Sequence, residues 1–499
     1  MRAVFASVIL GGLGVLLGCD RSDDLASTRG STVVMAVSDV EAVKPDNWNL
    51  DLLTFLMLAK QNERGELVGQ LARRWEHSAD AKEWTYYLRT DVRWEDGVRV
   101  TAHDVKFTFD LLGHPDVAES QGIEATVVDD STVRIRAANH GYIQDVTYFP
   151  KHLLEGLEPK RFWEWDFWTH PVGNGPYRFV RYVPNSMMEF EANPAFFGAQ
   201  PGIDRLILKF VGDAGLNELL AGNVDMARAD LSQIPRMAND PRFRLYVNGS
   251  PGARGIYWKT DHPLFSDSRV RHALTLAVDR RELLPLLNLP EELPITDGVF
   301  TWRQFRGGEL PDPLPYDPES AGSLLEAVGW ADLDGDGVRE KEGRPFRFTA
   351  VVSQGAGFPE LALYVQASLR RIGVHMELQP GEPAAMWELL KSGDFDALFM
   401  VVQSGASAQR RDFGRGNQTG YSNPEALAVI DSLQATADPE EQDRFYRRLT
   451  EIYRVDMPFT RLIPWSNEWF VHRRIRGLST PFRAEPDTYM EELWVEDEP

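Results

Sequence analysis

One stretch of the chain, from Leu71 to Leu112, holds more agreeing local signals than any other and therefore limits the fold most. It begins LARRWEHSADAKEWTYYLR. In EWTYYLR the large side chains of Trp84, Tyr86 and Leu88 alternate with positions that face the other way. This is the period of two that belongs to a strand with one buried face, so we predict a strand here.

A tight turn and a helix complete the stretch, which continues TDVRWEDGVRVTAHDVKFTFDLL. The pair Asp96-Gly97 tolerates the positive φ angles of a two-residue hairpin turn. Thr101 is placed to cap the helix that follows, with Asp104 as the reciprocal carboxylate three residues later. Apolar residues then recur at helical spacing at Val105, Phe109 and Leu112. The stretch predicts a strand, a hairpin and a capped helix, and its aromatic residues are typical of a core.

The same sequence words resemble a known family. LARRWE, the W-x-x-x-LR strand, the W-x-DG turn and TAHDVKFTFD resemble the signature block of the extracellular solute-binding proteins of the peptide and nickel class, solute-binding family 5. PVGNGPYRFVRY from Pro171 and LFSDSRVRHALTLAVDRREL from Leu264 resemble further blocks of that family. The resemblance implies a soluble receptor that delivers a ligand to an ABC importer.

Length and charge agree with an ordinary globular protein. The chain has 499 residues, of which 43% are hydrophobic and 26% charged, and this length suits about three domains. Its net charge is −22, with 75 acidic and 53 basic residues. Proteins that bind nucleic acid neutralise phosphates with Lys and Arg, so we expect no nucleic-acid partner.

The single cysteine marks an export signal. Cys19 follows an apolar run from Val8 to Gly18, which is too short to span a bilayer and has Arg2 on its amino side. Leu-Leu-Gly-Cys resembles the bacterial lipobox, which implies that residues 1–18 are a signal peptide and that Cys19 is lipidated. Acyl chains hold a soluble domain at a membrane without a spanning helix. A plain signal peptide with a chance cysteine is the alternative.

The location follows from this signal. We expect an exported protein at the periplasmic or extracytoplasmic face, with residues 19–31 as a tether. Asp20 after the cysteine resembles the inner-membrane retention signal of enteric lipoproteins, and its effect depends on the host.

From Phe346 the pattern alternates strand and helix through Val352, 361–372, 374–378, 386–391 and 397–402. Such alternation predicts an α/β layer with buried strands. The family resemblance implies a type II periplasmic-binding-protein fold with two lobes and an extra second domain. The implied domains are I (32–55, 170–260 and 475–499, discontinuous), II (56–169) and III (261–474). Trp163, Trp165 and Trp168 in domain II favour packing over ligand stacking.

One acidic loop has the spacing of an oxygen-ligand calcium site. Asp332, Asp334 and Asp336 alternate before Gly337, but the bidentate Glu expected six residues later is replaced by Gly343. Solvated Asp-Gly turns give the same pattern. The loop therefore predicts a structural calcium ion or a plain turn, and we expect no other cofactor.

Motifs for catalysis are missing from the sequence. The ten histidines form no HExxH pattern, and there is no G-x-S-x-G elbow and no phosphate-binding G-x-x-x-x-G-K. We therefore expect no enzyme, with an exported hydrolase as the alternative from another class.

The resemblance implies that three regions face the ligand between the lobes. They are the end of the first strand, the strand near Tyr257, and the loop after residues 397–402. The candidate ligand-binding residues are Asp39, Tyr257, Trp258, Gln403, Ser404, Arg410, Arg411 and Asp412.

The chain departs from the family in that loop. Peptide-binding members carry a Trp and an Asp there, the Asp pairing with the peptide ammonium group, whereas Val402 and Gly405 stand here. A buried ammonium without a carboxylate is costly, so recognition of a free amino end requires Asp412 or Asp39 instead. Arg410 and Arg411 are suited to a carboxylate or phosphate, or they lie in a solvated loop.

These observations predict a monomeric, lipid-anchored receptor for a small, peptide or peptide-like solute, with ABC permease subunits as partners. A receptor that serves sensing instead of transport is the alternative within the binding proteins.

Overall fold

The computed structural model describes residues 32–37, 52–62, 67–78, 82–117, 122–137, 143, 146–308, 310–436, 438–478 and 490–496. Its largest sheet has ten strands, which are numbered in chain order and whose ranges are given below. Their order in the sheet is β16-β15-β17-β12-β18-β11-β1-β10-β9-β8. A separate four-stranded sheet has the order β4-β5-β7-β6. The described part is therefore a mixed α/β structure.

The strands are β1 Thr32–Val37, β2 Ala59–Gln61, β3 Leu67–Gly69, β4 Ala72–His77, β5 Glu83–Leu88, β6 Glu124–Asp129, β7 Thr132–Arg136, β8 Tyr177–Val183, β9 Met187–Ala192, β10 Arg205–Phe210, β11 Met226–Ala229, β12 Phe243–Trp258, β13 Glu340–Lys341, β14 Arg344–Pro345, β15 Arg347–Ser353, β16 His375–Gly381, β17 Ala397–Val402, β18 Phe459–His472, β19 Ile475–Arg476 and β20 Trp494–Val495.

The α-helices are α1 Ala102–Leu112, α2 Lys151–Leu154, α3 Gly215–Leu220, α4 Ile234–Met237, α5 Ser268–Leu276, α6 Leu283–Leu286, α7 Trp302–Gly307, α8 Pro318–Ala327, α9 Phe358–Arg371, α10 Pro383–Ser392, α11 Ala406–Phe413, α12 Pro424–Ala435 and α13 Pro439–Asp456. Short 3₁₀ helices lie at Pro159–Glu164, Asp166–Thr169, Gly212–Ala214 and Leu231–Gln233.

The stretch from Leu71 to Leu112 folds as predicted. In β5 the alternate residues Trp84, Tyr86 and Leu88 are buried. The backbone N–H of Trp94 donates to Val98 O at 2.8 Å across the turn, where Gly97 has a φ of 86°. The predicted strand is confirmed and lies in the small sheet. The hairpin forms with a three-residue loop, Glu95–Gly97, instead of the predicted two-residue turn, because only Gly97 of the Asp96-Gly97 pair has a positive φ.

The cap of α1 also forms as predicted and has a second use. The Asp104 Oδ2 atom accepts the Thr101 N–H at 2.8 Å, while Oδ1 accepts the Lys151 N–H at 3.0 Å. Asp104 is buried, so one carboxylate joins the start of α1 to the start of α2.

Two lobes are built on the ten-stranded sheet. We call β1 and β8–β11 with their helices the first lobe, and β15–β17 with theirs the second lobe. One hydrophobic core lies between the first lobe and the small sheet, and it includes Val33 and Trp84. A second core lies on the opposite face and continues into the second lobe, from Ala36 to Phe399. A third covers the other face of the second lobe, around Met400.

Two long strands join the lobes. β18 pairs with β11 of the first lobe through residues Glu468–Val471, and β12 pairs with β17 of the second lobe through residues Ala253–Trp258. Between β12 and β18 the register shifts at Gly249/Ala253 and at Arg254/Gly255. Because such irregularities bend a sheet, we call residues 249–254 of β12 and 464–466 of β18 the hinge.

β18, which starts at Phe459, pairs with β11 and so returns the chain to the first lobe. The alternation of strands and helices from Phe346 is confirmed by β15, α9, β16, α10 and β17. The predicted domain boundaries stay predictions, since β12 and β18 belong to both lobes.

The tryptophans of the predicted second domain mainly pack. Trp165 and Trp168 are buried and their indoles donate to the carbonyls of Glu158 and Phe162. Trp163 is 39% exposed. Packing is therefore confirmed for two of the three rings.

Glu95 connects two of the sequence segments that resemble the family, the W-x-DG turn and PVGNGPYRFVRY. Its Oε1 accepts the Gly173 N–H at 3.0 Å, and its own N–H donates to Gly173 O at 2.9 Å. Burial raises the pKa of the Glu95 carboxyl from 4.5 to about 7. Folding therefore favours the protonated form of this side chain.

We predict a pH dependence of stability from Glu95. Between pH 4.5 and about 7 the folded state holds a proton that the unfolded state releases, so the free energy of unfolding falls as the pH rises through this window. The expected loss is about 3 kcal/mol. Urea unfolding from pH 4 to pH 8 measures it. Glu95→Gln keeps the acceptor oxygen and should remove this part of the slope, and an unchanged slope would contradict the assignment.

Candidate functional site

The carboxyl ends of the parallel strands of both lobes point at the hinge. In the second lobe, Val402 at the end of β17 pairs with Ala253, and β15 runs parallel to β16 and β17. In the first lobe, Ala229 at the end of β11 pairs with Glu468, and β1 runs parallel to β10 and β11. Ligands of open α/β sheets bind at such carboxyl ends.

The loops that follow these strands form the candidate site, which we call the inter-lobe cleft. They are residues 212–214 after β10, 230–233 after β11, 354–357 after β15 and 403–405 after β17. Beside the hinge, loops of the two lobes approach each other closely, since a Cβ added to Gly357 would lie 2.9 Å from Leu231 Cδ1. The Asn288 side chain also donates to Leu231 O at 3.4 Å.

Tyr257 and Trp258 are both enclosed in cores. The Tyr257 hydroxyl donates to Asp412 Oδ2 at 2.7 Å, and burial raises its pKa well above the usual range. On the opposite face of β12, the Trp258 indole donates to Thr460 Oγ1 at 3.0 Å. The predicted ligand contact of these residues disagrees with their exposures of 0% and 1%.

The two arginines do not meet at one anion. Arg410 is exposed and its Nη1 donates to Gln434 Oε1 at 2.9 Å. Arg411 instead donates to both oxygens of Asp412, at 2.6 and 3.0 Å, and its guanidinium lies 4.7 Å from the centre of the Trp387 ring. In this conformation the two guanidinium groups therefore have different partners, and anion binding by them stays a prediction.

The Asp412 carboxylate already has hydrogen-bond partners within the protein. It is buried and accepts hydrogen bonds from Tyr257 and Arg411. Burial raises its pKa, opposed by the hydrogen bond from Arg411. In this conformation Arg411 occupies the place that a peptide ammonium would take on Asp412, and a ligand-binding role of Asp412 stays a prediction.

Gln403 and Ser404 follow β17 at the cleft in different environments, and their contact with a ligand stays a prediction. Gln403 is exposed. Ser404 is buried, donates to Pro251 O at 2.6 Å and accepts from Arg461 Nη1 at 3.2 Å. Of the two, only the Gln403 side chain is open to a ligand. Asp39 and Cys19 lie outside the described residues, and Val37 ends β1 two positions before Asp39.

The sequence interpretation missed two arginines at the hinge. Arg461 is buried and its Nη2 donates to Pro251 O at 2.7 Å and to Gly252 O at 3.1 Å. Burial lowers its pKa to about 10. Arg254 is also buried beside β18. Their signal was a charged residue inside an otherwise apolar strand, in GARGIYW and FTRLIPW.

The comparisons with known proteins decide the family. The model of bacterial extracellular solute-binding proteins, family 5, matches residues 66–414. This chain belongs to that family. The oligopeptide-binding protein AppA of Bacillus subtilis is 23% identical over 473 residues, which cover 89% of this chain and 87% of AppA.

Solved structures share the fold of this family 5 protein. A peptide-binding protein AppA from Clostridium difficile has a TM-score of 0.77 at 21% identity and covers 93% of this chain and 100% of its own. NikZ from Campylobacter jejuni, in complex with Ni(L-His), has a TM-score of 0.72 at 23% identity, covering 93% and 99%. The predicted type II periplasmic-binding-protein fold is confirmed.

The family also settles the broad class of activity. Family 5 members are extracellular solute-binding proteins and not enzymes, so the prediction of a binding protein is confirmed. Within the described residues, no helix is long and apolar enough to cross a membrane.

The acidic loop brings four carboxylates together. Ligand oxygens of Asp332, Asp334, Asp336 and Glu340 lie within 4.8 Å of one another. In this conformation they accept backbone N–H groups of the same loop, such as Gly335 N–H on Asp332 Oδ1 at 2.7 Å. Glu340 joins them from position nine of the loop, and its Oε2 accepts the Leu333 N–H.

Calcium binding at this loop stays a prediction. If it occurs, calcium should raise the melting temperature with an affinity of about 10⁻⁴–10⁻³ M, as in extracellular modules. Asp334→Asn should abolish the rise, whereas Asp394→Asn outside the loop should keep it. No rise at about 10 mM calcium, beyond that affinity range, would assign the loop to a plain turn.

Proposed function

We propose that this family 5 protein is a lipid-anchored extracytoplasmic receptor that binds a small peptide or peptide-like solute and delivers it to the permease of an ABC importer. The observation that carries the proposal is the convergence of strand carboxyl ends from both lobes on one two-stranded hinge. A ligand between the lobes gains contacts from both sides only when they close, as in hinged binding proteins.

The ligand class is supported by the relatives. One is named as an oligopeptide-binding protein, and one solved structure holds Ni(L-His). The occupied Asp412 argues against recognition of a free amino end at that carboxylate. Gln403 at the cleft edge is suited to hydrogen bonding with a peptide-like backbone or amide.

A thermal-shift screen tests this proposal. Peptide, dipeptide, opine, sugar and metal libraries are added to purified protein, and the melting temperature is measured. A true ligand at about 100 times its Kd should stabilise the folded state by about 2.7 kcal/mol. Gln403→Ala should reduce the shift, whereas Lys106→Ala, on the exposed face of α1, should leave it unchanged. A complete panel without a shift would contradict the ligand class.

We predict that Cys19 carries the anchor. The apolar run before it and the Leu-Leu-Gly-Cys motif support lipidation, and acyl chains contribute about 0.8 kcal/mol for each buried methylene. Cys19→Ser should therefore move the protein from the membrane fraction to the soluble fraction. Asp20→Ser keeps the cysteine and serves as the matched control. Unchanged membrane association of the Cys19→Ser protein would refute the lipid anchor.

A further inference from the structure

Arg254 lies where the two hinge strands change register. It pairs with Ile463 of β18 and Val401 of β17, on the second-lobe side of the irregularity. Its side chain is 1% exposed. Burying a guanidinium is costly unless its donors are satisfied, so the direction of its hydrogen bonds is informative.

One donor of Arg254 reaches the cleft loop of the second lobe. Nε donates to Ala356 O at 2.7 Å. Three successive residues of this loop, Gly355, Ala356 and Gly357, have positive φ angles of 81°, 51° and 78°. Ala356 is strained in this region, where residues other than glycine are uncommon. The Arg254 bond therefore holds a loop conformation that local preference opposes.

The other donors reach Ser466 on the far side of the hinge, and Nη1 also donates to Pro464 O at 3.2 Å on the near side. Nη1 donates to Ser466 Oγ at 3.1 Å and Nη2 to Ser466 O at 3.4 Å. Ser466 pairs with Gly249, beyond the irregularity, and its hydroxyl donates to Glu468 Oε1 at 2.6 Å. Glu468 in turn pairs with Ala229 of the first lobe. A chain of hydrogen bonds thus runs from the second-lobe loop to a first-lobe strand.

Aromatic rings support the same arrangement. The Arg254 guanidinium lies 4.7 Å from the centre of the Trp465 ring, and Trp465 stacks on Phe358 at 6.4 Å. Phe358 is the first residue of α9, directly after the loop. A hinge rotation that separated Ser466 from the loop would break these contacts together.

We infer that Arg254 is a positioning residue for lobe closure: it fixes the angle between the lobes by joining the loop 354–357 to Ser466 across the hinge. In the proposed receptor, this contact sets the angle between the two lobes when no ligand is bound. The inference rests on the proposed function only for its biological meaning. Its test uses no ligand, so its failure would leave the receptor proposal standing.

The experiment measures the distance between the lobes. Spin labels are placed at Val180→Cys in the first lobe and Leu363→Cys in the second, both on exposed side chains, in the full chain with Cys19→Ser. Pulsed electron paramagnetic resonance measures the distribution of distances between the two labels. Arg254→Met should shift the mean by more than about 2 Å or broaden the distribution, as in loop and domain rearrangements. Ser466→Ala, which keeps the arginine, should change it in the same direction and covers the case in which Arg254→Met does not fold.

Two further variants distinguish a change in the angle between the lobes from a loss of stability. Arg271 is also buried, and within the described part of the chain its guanidinium donates to second-lobe carbonyls, those of Phe265, Asp456 and Met457. Arg271→Met should therefore lower the melting temperature and keep the wild-type distance. Arg254→Lys keeps the positive charge but lacks the guanidinium group that donates to both sides of the hinge. Its distribution of distances between the lobes should therefore lie between those of the wild type and Arg254→Met. Wild-type distances in Arg254→Met and Ser466→Ala, or full restoration by lysine, would overturn the inference.

Discussion

Replacing Asp412 with alanine should lower the free energy of unfolding by about 1–3 kcal/mol, because it leaves the buried Tyr257 hydroxyl without its acceptor. The carboxylate is buried and receives three hydrogen bonds from Tyr257 and Arg411. Arg411 adds little to the cost, because it is 39% exposed and can turn to water. Urea unfolding with linear extrapolation measures the change.

The matched control is Arg410→Ala, two positions earlier in α11. Arg410 is exposed and makes one hydrogen bond with Gln434, so the expected cost is within about 0.5 kcal/mol. If Asp412→Ala were as stable as the wild type and instead abolished the binding of an amine ligand, Asp412 would be a ligand contact and its structural role would be refuted.

Replacing Asp297 with alanine is expected to cost more, about 3–5 kcal/mol, because it leaves a buried arginine uncompensated. Arg280 Nη1 donates to Asp297 Oδ1 at 2.5 Å, and both side chains are 4% exposed. Asp297 Oδ2 also accepts the Leu314 N–H at 2.6 Å. The free energy of unfolding in urea again gives the cost.

Two further variants test the cause of this loss. Asp110→Ala removes the exposed partner of Lys106 on α1 and should cost less than about 1 kcal/mol. The double change Arg280→Met with Asp297→Leu removes both charges and should recover much of the loss, since apolar replacement of buried pairs is often neutral. Equal costs for Asp110→Ala and Asp297→Ala would contradict the burial argument.

Much of the fold could be predicted because its signals are local. The hairpin at Asp96-Gly97, the cap at Thr101 and the alternation in β5 each depend on residues a few positions apart. The order of strands and helices after Phe346 was readable for the same reason.

The ligand residues were harder to predict because their environment depends on long-range pairing. Tyr257 and Asp412 are 155 positions apart, and Arg254 and Ser466 are 212 apart. No local pattern shows that Asp412 meets Tyr257 and Arg411. The sequence therefore made it look available to a ligand.

One error had a signal that could have prevented it. Tyr257 and Trp258 are neighbours on β12, and neighbouring residues of a strand point to opposite faces. They could not both face one ligand on one side of the sheet. The structure places them in different cores, with α11 beside Tyr257 and Phe265 beside Trp258.

The most direct test of the receptor function is mass spectrometry of solute released from the purified protein, followed by its return to stripped protein. We predict that denaturation releases a small non-covalent solute, peptide or peptide-like, and that adding it back raises the melting temperature and narrows the distance between the lobes. If no solute is released, no library compound raises the melting temperature, and the protein turns over an ester or peptide substrate, the receptor function is contradicted.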